Sequence, residues 1–238
     1  MTLGIYANAL EPAENPPLHR ALPQELIRKE MARAGILTVR LIGPPGSGKT
    51  ALIDATLKRL TAPRRVGVIV INPAAQRDAE RLLPHCRHVE SIDDAVPRAS
   101  HVRRAVERLP IKDIDLVLIE ACGGLASIDD LGQDATVATF AVGGGDDKAA
   151  EYHELLKASS VVLLTQMDLR PLVKFDESLF RRDVQAANPT AEIFELSAVT
   201  GAGMSRWIDW LDGHRAGKAR RNTPPQDPDQ TRPDAFFG

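Results

Sequence analysis

The chain has 238 residues, of which 43% are hydrophobic, and its formal net charge is −2 at pH 7. This length and apolar content suffice for the core of one domain, and the near-neutral charge gives no reason to expect nucleic acid as a partner. Two cysteines make no disulfide framework, no apolar run reaches the roughly 20 residues that span a bilayer, and the first residues lack the basic start of a signal peptide. These features predict a cytoplasmic protein without a membrane partner.

The predicted elements alternate between strands and helices. Apolar, largely β-branched runs predict strands at 37–42, 66–71, 88–91, 115–120, 135–142, 160–164 and 192–196. Helical spacing predicts helices at 22–34, 51–60, 77–83, 99–109, 147–158, 176–186 and 203–214. This order predicts an α/β fold with a mostly parallel central sheet, helices on both faces, and ligands at the carboxyl ends of the strands.

The composition also predicts how the chain is divided. Residues 1–20 contain three prolines and are predicted to form a flexible N-terminal arm. Residues 21–215 hold all the predicted elements and form one domain. Residues 216–238 are basic and then Pro-rich, which predicts a disordered C-terminal tail.

A glycine-rich turn joins the first predicted strand to the next helix. Its sequence is Gly43-Pro-Pro-Gly-Ser-Gly-Lys-Thr50, and the flanking strand and helix are the context that a phosphate-binding P-loop requires. The glycines let successive N–H groups point into one concavity, Lys49 can reach the β- and γ-phosphates, and the Thr50 hydroxyl can coordinate Mg²⁺. We therefore predict that a nucleoside triphosphate is bound by Gly43, Gly46, Ser47, Gly48, Lys49 and Thr50.

An acid ends the strand predicted at 115–120. Glu120 stands where a P-loop nucleoside triphosphatase places the acid that orients Mg²⁺ and its waters, and Gly123 would let the backbone approach the γ-phosphate. This position predicts catalytic roles for Lys49 and Glu120, and a Mg²⁺ site made by Thr50 and Glu120. The alternative is that Glu120 only caps the end of a strand.

Two later segments favour guanine over adenine. Thr165-Gln-Met-Asp168 follows a predicted strand, and a carboxylate at Asp168 can accept hydrogen bonds from guanine N1–H and the 2-amino group, which adenine lacks. Ser197 and Ala198 follow the next strand, where a Ser-Ala turn offers a backbone N–H to the guanine O6. The predicted ligand is therefore GTP.

Further segments, in the same order along the chain, give it a specific resemblance. They are Asp78-Ala-Glu-Arg81, Asp115-Leu-Val-Leu-Ile-Glu120 with Gly123, Asp130-Leu-Gly132, Gly145-Asp-Asp-Lys148, Met167-Asp-Leu169, Phe175-Asp176 and residues 201–210. From about residue 20 to 214 the chain resembles the hydrogenase nickel-incorporation GTPases of the HypB family. The resemblance implies a GTPase whose dimerisation and metal binding depend on nucleotide. It also implies delivery of Ni²⁺ to a [NiFe]-hydrogenase precursor, with other maturation factors as partners.

The metal ligands of that family are missing. Its Cys-His pair falls on Ala95 and Val96, and its second metal-site cysteine falls on Ser127. Alanine and valine cannot ligate a metal, and a neutral serine hydroxyl is a poor ligand for Ni²⁺ or Zn²⁺. We expect no nickel or zinc site in the domain, although His85-Cys86-Arg-His88 is an alternative cluster of ligands.

The nucleotide site departs from the family as well. Asn72 stands where the family has an acid after the second strand, and Gln166 replaces a lysine whose stem packs over the base. Two hypotheses follow. The chain is a GTP-binding and GTP-hydrolysing accessory protein of the HypB type, which forms a nucleotide-dependent homodimer, or it is a non-hydrolysing, nucleotide-gated scaffold that binds maturation partners without carrying metal.

Overall fold

A computed structural model describes residues 22–60, 65–96, 98–122 and 129–222. Its strands are β1 (Leu37–Gly43), β2 (Val66–Ile71), β3 (His88–Ile92), β4 (Leu116–Cys122), β5 (Ala135–Ala141), β6 (Val161–Thr165) and β7 (Glu192–Glu195). Its helices are α1 (Pro23–Ala34), α2 (Lys49–Arg59), α3 (Ala75–Leu82), α4 (Ala99–Val106), α5 (Lys148–Glu151), α6 (His153–Lys157), α7 (Glu177–Ala187) and α8 (Met204–Asn222). Short 3-10 helices span Val142–Gly144 and Met167–Leu172. The predicted arm, 1–20, lies outside the described residues.

The strands form one parallel sheet in the order β3-β2-β4-β1-β5-β6-β7. Each predicted strand is present within two residues of its predicted bounds. All residues of β1, β2, β5 and β6 are buried, as expected for parallel strands covered on both faces. The predicted fold class is confirmed.

Helices cover both faces of this sheet. On one face α2, α3 and α8 pack against alternate strand residues. On the other face α1 and α4 cover one half of the sheet, and α6 and α7 cover the other half. Trp207 of α8 is fully buried, and its indole Nε1 donates a hydrogen bond to Thr56 Oγ1 at 2.9 Å. Helix α8 is therefore attached to α2 by apolar packing and by this hydrogen bond.

The helix predicted at 147–158 is divided at Tyr152. This residue has φ −101° and ψ 32°, outside the helical region, and it separates α5 from α6. Its ring packs edge-on against Phe140 of β5, with ring centroids 6.0 Å apart. The helical spacing of the sequence did not predict this interruption of the helix, which occurs where Tyr152 packs against the sheet.

Helix α8 is longer than predicted and continues through residue 222. Lys218, predicted to lie in a disordered tail, is 8% exposed and forms an ion pair with Asp134. Arg215 forms an ion pair with Asp115, the residue before β4. The prediction of disorder is therefore wrong for 216–222, while 223–238 lie outside the described residues. In the ranges that the structure covers, no helix is both long enough and apolar enough to cross a membrane.

Candidate functional site

The P-loop lies at the carboxyl end of β1, the central strand, and leads directly into α2. A Cβ at Gly43 would lie 2.0 Å from the carbonyl oxygen of Thr139 on β5, so only glycine fits there. Gly48 has φ +80°, in the left-handed region, and it precedes α2 without offering a capping side chain. Since Gly48 provides no side-chain acceptor, the first N–H groups of α2 can bind an anion, which the helix dipole also favours.

The Lys49 side chain folds over the loop. Its Nζ donates to the carbonyl oxygens of Gly43 and Pro44, each at 3.0 Å, and to Ser47 Oγ at 3.3 Å. Ser47 Oγ lies 3.0 Å from Thr139 Oγ1, which ties the loop to β5. The P-loop ammonium is thus held over the same backbone that would bind phosphate.

Thr50 and Glu120 meet beside the loop. Thr50 Oγ1 donates to Glu120 Oε1 at 2.6 Å. Glu120 is 3% exposed, and among the described residues its other oxygen, Oε2, has no hydrogen-bond partner. Burial raises the pKa of Glu120 to about 7, although the Thr50 hydrogen bond and the charge of Lys49 lower it. An unpartnered carboxylate oxygen beside a hydroxyl is a set of hard oxygen donors, so these residues fit Mg²⁺.

Asn72 and Asp78 add a polar wall to this position. They line, with Arg81, Glu120 and residues of the P-loop, a cavity of about 400 Å³. Asn72 Nδ2 donates to Asp78 Oδ2 at 3.1 Å, and Asp78 Oδ1 lies 3.8 Å from Arg81 Nη1. Asn72 stands where the family has an acid, and its side chain holds another acid, Asp78, in the same cavity as Glu120. The Asp78-Ala-Glu-Arg81 segment was noted in the sequence, but its place beside Glu120 was not predicted.

The residues predicted to read the base lie at the ends of β6 and β7. Asp168 Oδ1 accepts a hydrogen bond from Ser197 Oγ at 2.5 Å, and Ser197 Oγ accepts another from the backbone N–H of Thr200 at 3.1 Å. Ser197 is fully buried, and Ala198 packs against the core. The structure thus brings Asp168 and the Ser-Ala turn together and fixes the orientation of the carboxylate.

Thr165 and Gln166 join the segment that contains Asp168 to the P-loop, a contact that was not predicted from the sequence. Thr165 Oγ1 donates to the carbonyl oxygen of Ser47 at 2.8 Å, and Gln166 Nε2 donates to that of Gly46 at 2.9 Å. Gln166 also adopts φ 59°, which is uncommon for a residue other than glycine. The replacement of lysine by Gln166 therefore leaves a direct hydrogen bond between the two halves of the site.

The segment Gly145-Asp-Asp-Lys148 ends beside the P-loop. Asp146 Oδ2 accepts from the backbone N–H of Asp176 at 2.7 Å, so two of the segments that carry the family resemblance are in contact. Lys148 forms an ion pair with Glu151 at 2.7 Å and lines, with the P-loop and Gln166, a cavity of about 340 Å³.

Two of the three positions at which the family has metal ligands lie in the described structure. Ala95 and Val96 are exposed in the loop between β3 and α4, whereas Gly123 and Ser127 lie outside the described residues. Within the described ranges, no group of three or more His, Cys, Asp and Glu side chains could hold a metal ion.

The residues His85, Cys86 and His88 do not converge. The Cys86 side chain is buried, and its Sγ lies 3.2 Å from the carbonyl oxygen of Val66. His85 Nε2 instead lies 3.7 Å from Asp54 on α2. The cysteine therefore packs into the core, away from a surface on which both histidines could share an ion with it.

A parallel sheet with a P-loop after its central strand, an acid at the end of the adjacent strand and a polar base pocket defines a P-loop nucleotide-binding protein. Comparison with known proteins gives its family. The family model described as "Methylmalonyl Co-A mutase-associated GTPase MeaB" matches residues 6–223. The chain belongs to this family of P-loop GTPases, which also includes HypB relatives.

Individual relatives agree with this assignment. The hydrogenase maturation factor HypB of Escherichia coli K12 is 33% identical over 196 residues, which cover 79% of this chain and 67% of that protein. The urease accessory protein UreG of Natronomonas pharaonis is 29% identical over 202 residues, with 76% of this chain and 97% of that protein covered. The crystal structure of HypB from Archaeoglobus fulgidus matches with a TM-score of 0.74 at 28% identity, over 81% of this chain and 97% of that one. The resemblance to HypB proteins is confirmed.

Proposed function

We propose that this chain binds GTP with Mg²⁺, hydrolyses it, and acts as an accessory protein in the incorporation of nickel into a [NiFe]-hydrogenase. One observation carries the nucleotide part of the proposal: Glu120 is buried beside Thr50, with one oxygen that has no partner among the described residues. Burying a carboxylate costs free energy unless a cation or a donor compensates it. The relatives named as hydrogenase maturation factors support the process in which we place it.

The phosphate side of the site would work through charge and position. Mg²⁺, when bound by Thr50 and Glu120, would neutralise charge on the β- and γ-phosphates. Lys49 would exchange its contacts with the loop carbonyls for phosphate oxygens, while the loop N–H groups bind the remaining oxygens. Gly123 would let the backbone approach the γ-phosphate.

The base side would provide guanine specificity. Asp168 accepts hydrogen bonds from N1–H and the 2-amino group of guanine, and the Ser197 hydroxyl holds the carboxylate in place. The backbone N–H of Ala198 donates to O6. Gln166 and Thr165 keep this pocket at a fixed distance from the phosphates through their hydrogen bonds to the P-loop.

The nickel step would proceed without the usual ligands. Ala95 and Val96 cannot bind a metal ion, so we propose that the protein contributes through a nucleotide-dependent homodimer and contacts with other maturation factors or the hydrogenase precursor. It would work in the cytoplasm. In this proposal the protein itself carries no nickel.

The second candidate function is a nucleotide-gated scaffold that does not hydrolyse GTP. Asn72, at the family's acid position, favours it, because one carboxylate near the metal or the attacking water is replaced by a neutral amide. Asp78, held by Asn72, favours hydrolysis instead, because it returns a carboxylate to the same cavity.

A complementation experiment separates the two functions. In a strain that lacks the gene, variants are expressed and the nickel content of the purified hydrogenase is measured. Glu120→Gln keeps an oxygen for the Thr50 hydrogen bond but removes the charge that binds Mg²⁺. Where titration shows that Glu120→Gln still binds GTP, a GTPase predicts nickel as low as in Lys49→Ala, whereas a scaffold gated by GTP binding alone predicts normal nickel. Glu107→Gln, an exposed acid at the end of α4, is the matched control, and unchanged nickel in the deletion strain itself would refute both functions.

A further inference from the structure

Two clefts flank the last turns of α8 at the amino-terminal edge of the sheet. The Asp115 cleft has a volume of about 660 Å³, and its polar lining is Arg65, Lys112, Asp115 and Arg215. The Asp134 cleft has a volume of about 590 Å³, and its polar lining is Arg28, Arg33, Asp134, His214, Lys218 and Arg221. Because β1 runs over 7 residues from this edge to the P-loop, at roughly 3.3 Å per residue, the clefts lie about 20 Å from the nucleotide site.

Positive charge is in excess in both clefts. Three basic side chains and one carboxylate line the Asp115 cleft, and four basic side chains, a histidine and one carboxylate line the Asp134 cleft. Outside the linings, Asp212 pairs with Arg215 and Asp130 pairs with Arg28. Basic side chains still outnumber these carboxylates, by three to two and by four to two. The chain as a whole has a net charge of −2, so the rest of its surface is negative on balance. An acidic ligand is therefore attracted to this edge more strongly than to the rest of the surface on average.

Internal ion pairs hold the clefts in shape. Asp115 is bound by Arg65 at 2.7 Å and by Arg215 of α8. Asp134 is bound by Lys218 of α8 and accepts a hydrogen bond from the backbone N–H of Thr38 at 2.9 Å. These pairs fix α8 across the ends of the strands, so the clefts are preformed and a ligand does not have to order them.

The remaining lining is apolar. Ile111 and Ile114 lie in the Asp115 cleft, and Leu37 and Ala135 lie in the Asp134 cleft. We propose that the two clefts together form a docking surface for an acidic, partly apolar segment of a partner protein. Its carboxylates face the exposed cations at the rims, such as Lys112 and Arg221, and its apolar side chains occupy the floors.

The geometry favours a protein segment over a nucleic acid. Phosphates follow one another at regular spacing and need a continuous row of cations, but α8 separates the two clefts. Each cleft also has a carboxylate, Asp115 or Asp134, that would repel a phosphate backbone. A peptide can place single carboxylates on either side of α8 and keep them away from both aspartates.

Fluorescence anisotropy with the full chain tests this proposal. The probe is a labelled peptide of Glu-Leu-Asp-Ala repeats, and the same peptide with lysine at the acidic positions is its control. The test variant is the double reversal Lys112→Glu and Arg221→Glu, which leaves the pairs of Asp115 and Asp134 intact. The control variant is Lys29→Glu and Arg220→Glu, which makes the same change in net charge on exposed residues of α1 and α8 that line neither cleft.

The wild-type chain should bind the acidic peptide and not the basic one. Binding should weaken as ionic strength rises from about 0.01 M to about 0.15 M, where the Debye length falls from roughly 30 Å to roughly 8 Å. The test variant should bind about tenfold or more weakly, and the control variant within about twofold of wild type. Circular dichroism melting shows that each variant is folded, and Lys112→Gln with Arg221→Gln replaces the reversal if it is not.

Three results would overturn the proposal. One is no binding of the acidic peptide, and another is equal weakening in both double variants. The third is binding of single-stranded RNA or phosphatidylserine vesicles in preference to the peptide, with loss in the test variant. None of these results bears on GTP binding, because the docking surface and the nucleotide site lie at opposite edges of the sheet.

Discussion

Replacing Asp168 by Asn changes one of the two oxygens that we propose to read guanine. The Ser197 hydroxyl holds Oδ1 at 2.5 Å, so the side chain has a fixed orientation and cannot turn to present another atom. In the asparagine variant, the amide NH₂ group would face a guanine N–H, so two donors would meet. One hydrogen bond from guanine to a charged acceptor would be lost. Such a bond contributes about 1.5–3 kcal/mol, which corresponds to a roughly 10- to 150-fold weaker affinity for GTP.

Calorimetric titration with non-hydrolysable analogues of GTP, ATP and xanthosine triphosphate measures this effect. Xanthine has a carbonyl oxygen where guanine has its 2-amino group, so Asp168→Asn should bind it more tightly than wild type does. Asp209→Asn, the same substitution at an exposed position of α8, should leave all three affinities unchanged. Equal affinity of the wild-type chain for GTP and ATP, or an equal loss of both in Asp168→Asn, would refute guanine reading by this residue.

Three further outcomes follow from the core and from α8. Lys218→Ala should lower the free energy of unfolding in urea by about 1–2 kcal/mol, because its ion pair with Asp134 is largely buried. The control Arg220→Ala should change this free energy by less than about 0.5 kcal/mol. Equal effects of the two substitutions would contradict a stabilising role of the ion pair. Burial raises the pKa of the Cys86 thiol, so iodoacetamide should alkylate Cys86 only after unfolding. Alkylated Cys86 in the folded protein, detected by peptide mass spectrometry, would contradict this. Titration with Ni²⁺ or Zn²⁺ should give no tight stoichiometric site and no difference between GDP and GTP-analogue states; a submicromolar site that disappears in Cys86→Ser would contradict this.

The strands could be predicted from the sequence because their signal is local. An apolar, β-branched run such as Val66–Ile71 is buried on both faces of a parallel sheet, and no distant residue is needed to recognise it. The P-loop and the acid Glu120 could be predicted for a similar reason, since each follows such a run directly. Their contact through Thr50 then follows from the adjacency of β1 and β4 in the sheet.

Contacts between distant segments were not predictable in the same way. The basic residues at the end of α8 are typical of a solvated tail, and only the fold shows that Lys218 meets Asp134, 84 positions earlier in the chain. The contact of Gln166 with Gly46 spans 120 positions. In the sequence, Gln166 stands where the family has a lysine, so only the loss of that lysine could be recognised. The fold shows that the Gln166 side chain donates a hydrogen bond to the P-loop.

Phosphate release from GTP tests the proposed hydrolysis most directly. The assay compares wild type with Lys49→Ala, which removes the P-loop ammonium, and with Lys58→Ala, an exposed lysine of the same helix that pairs with Asp54. We predict steady-state release with Mg²⁺ that is faster in wild type and Lys58→Ala than in Lys49→Ala, and faster with GTP than with ATP. Release by the wild-type chain at the rate of Lys49→Ala would contradict hydrolysis at this site and leave only the scaffold.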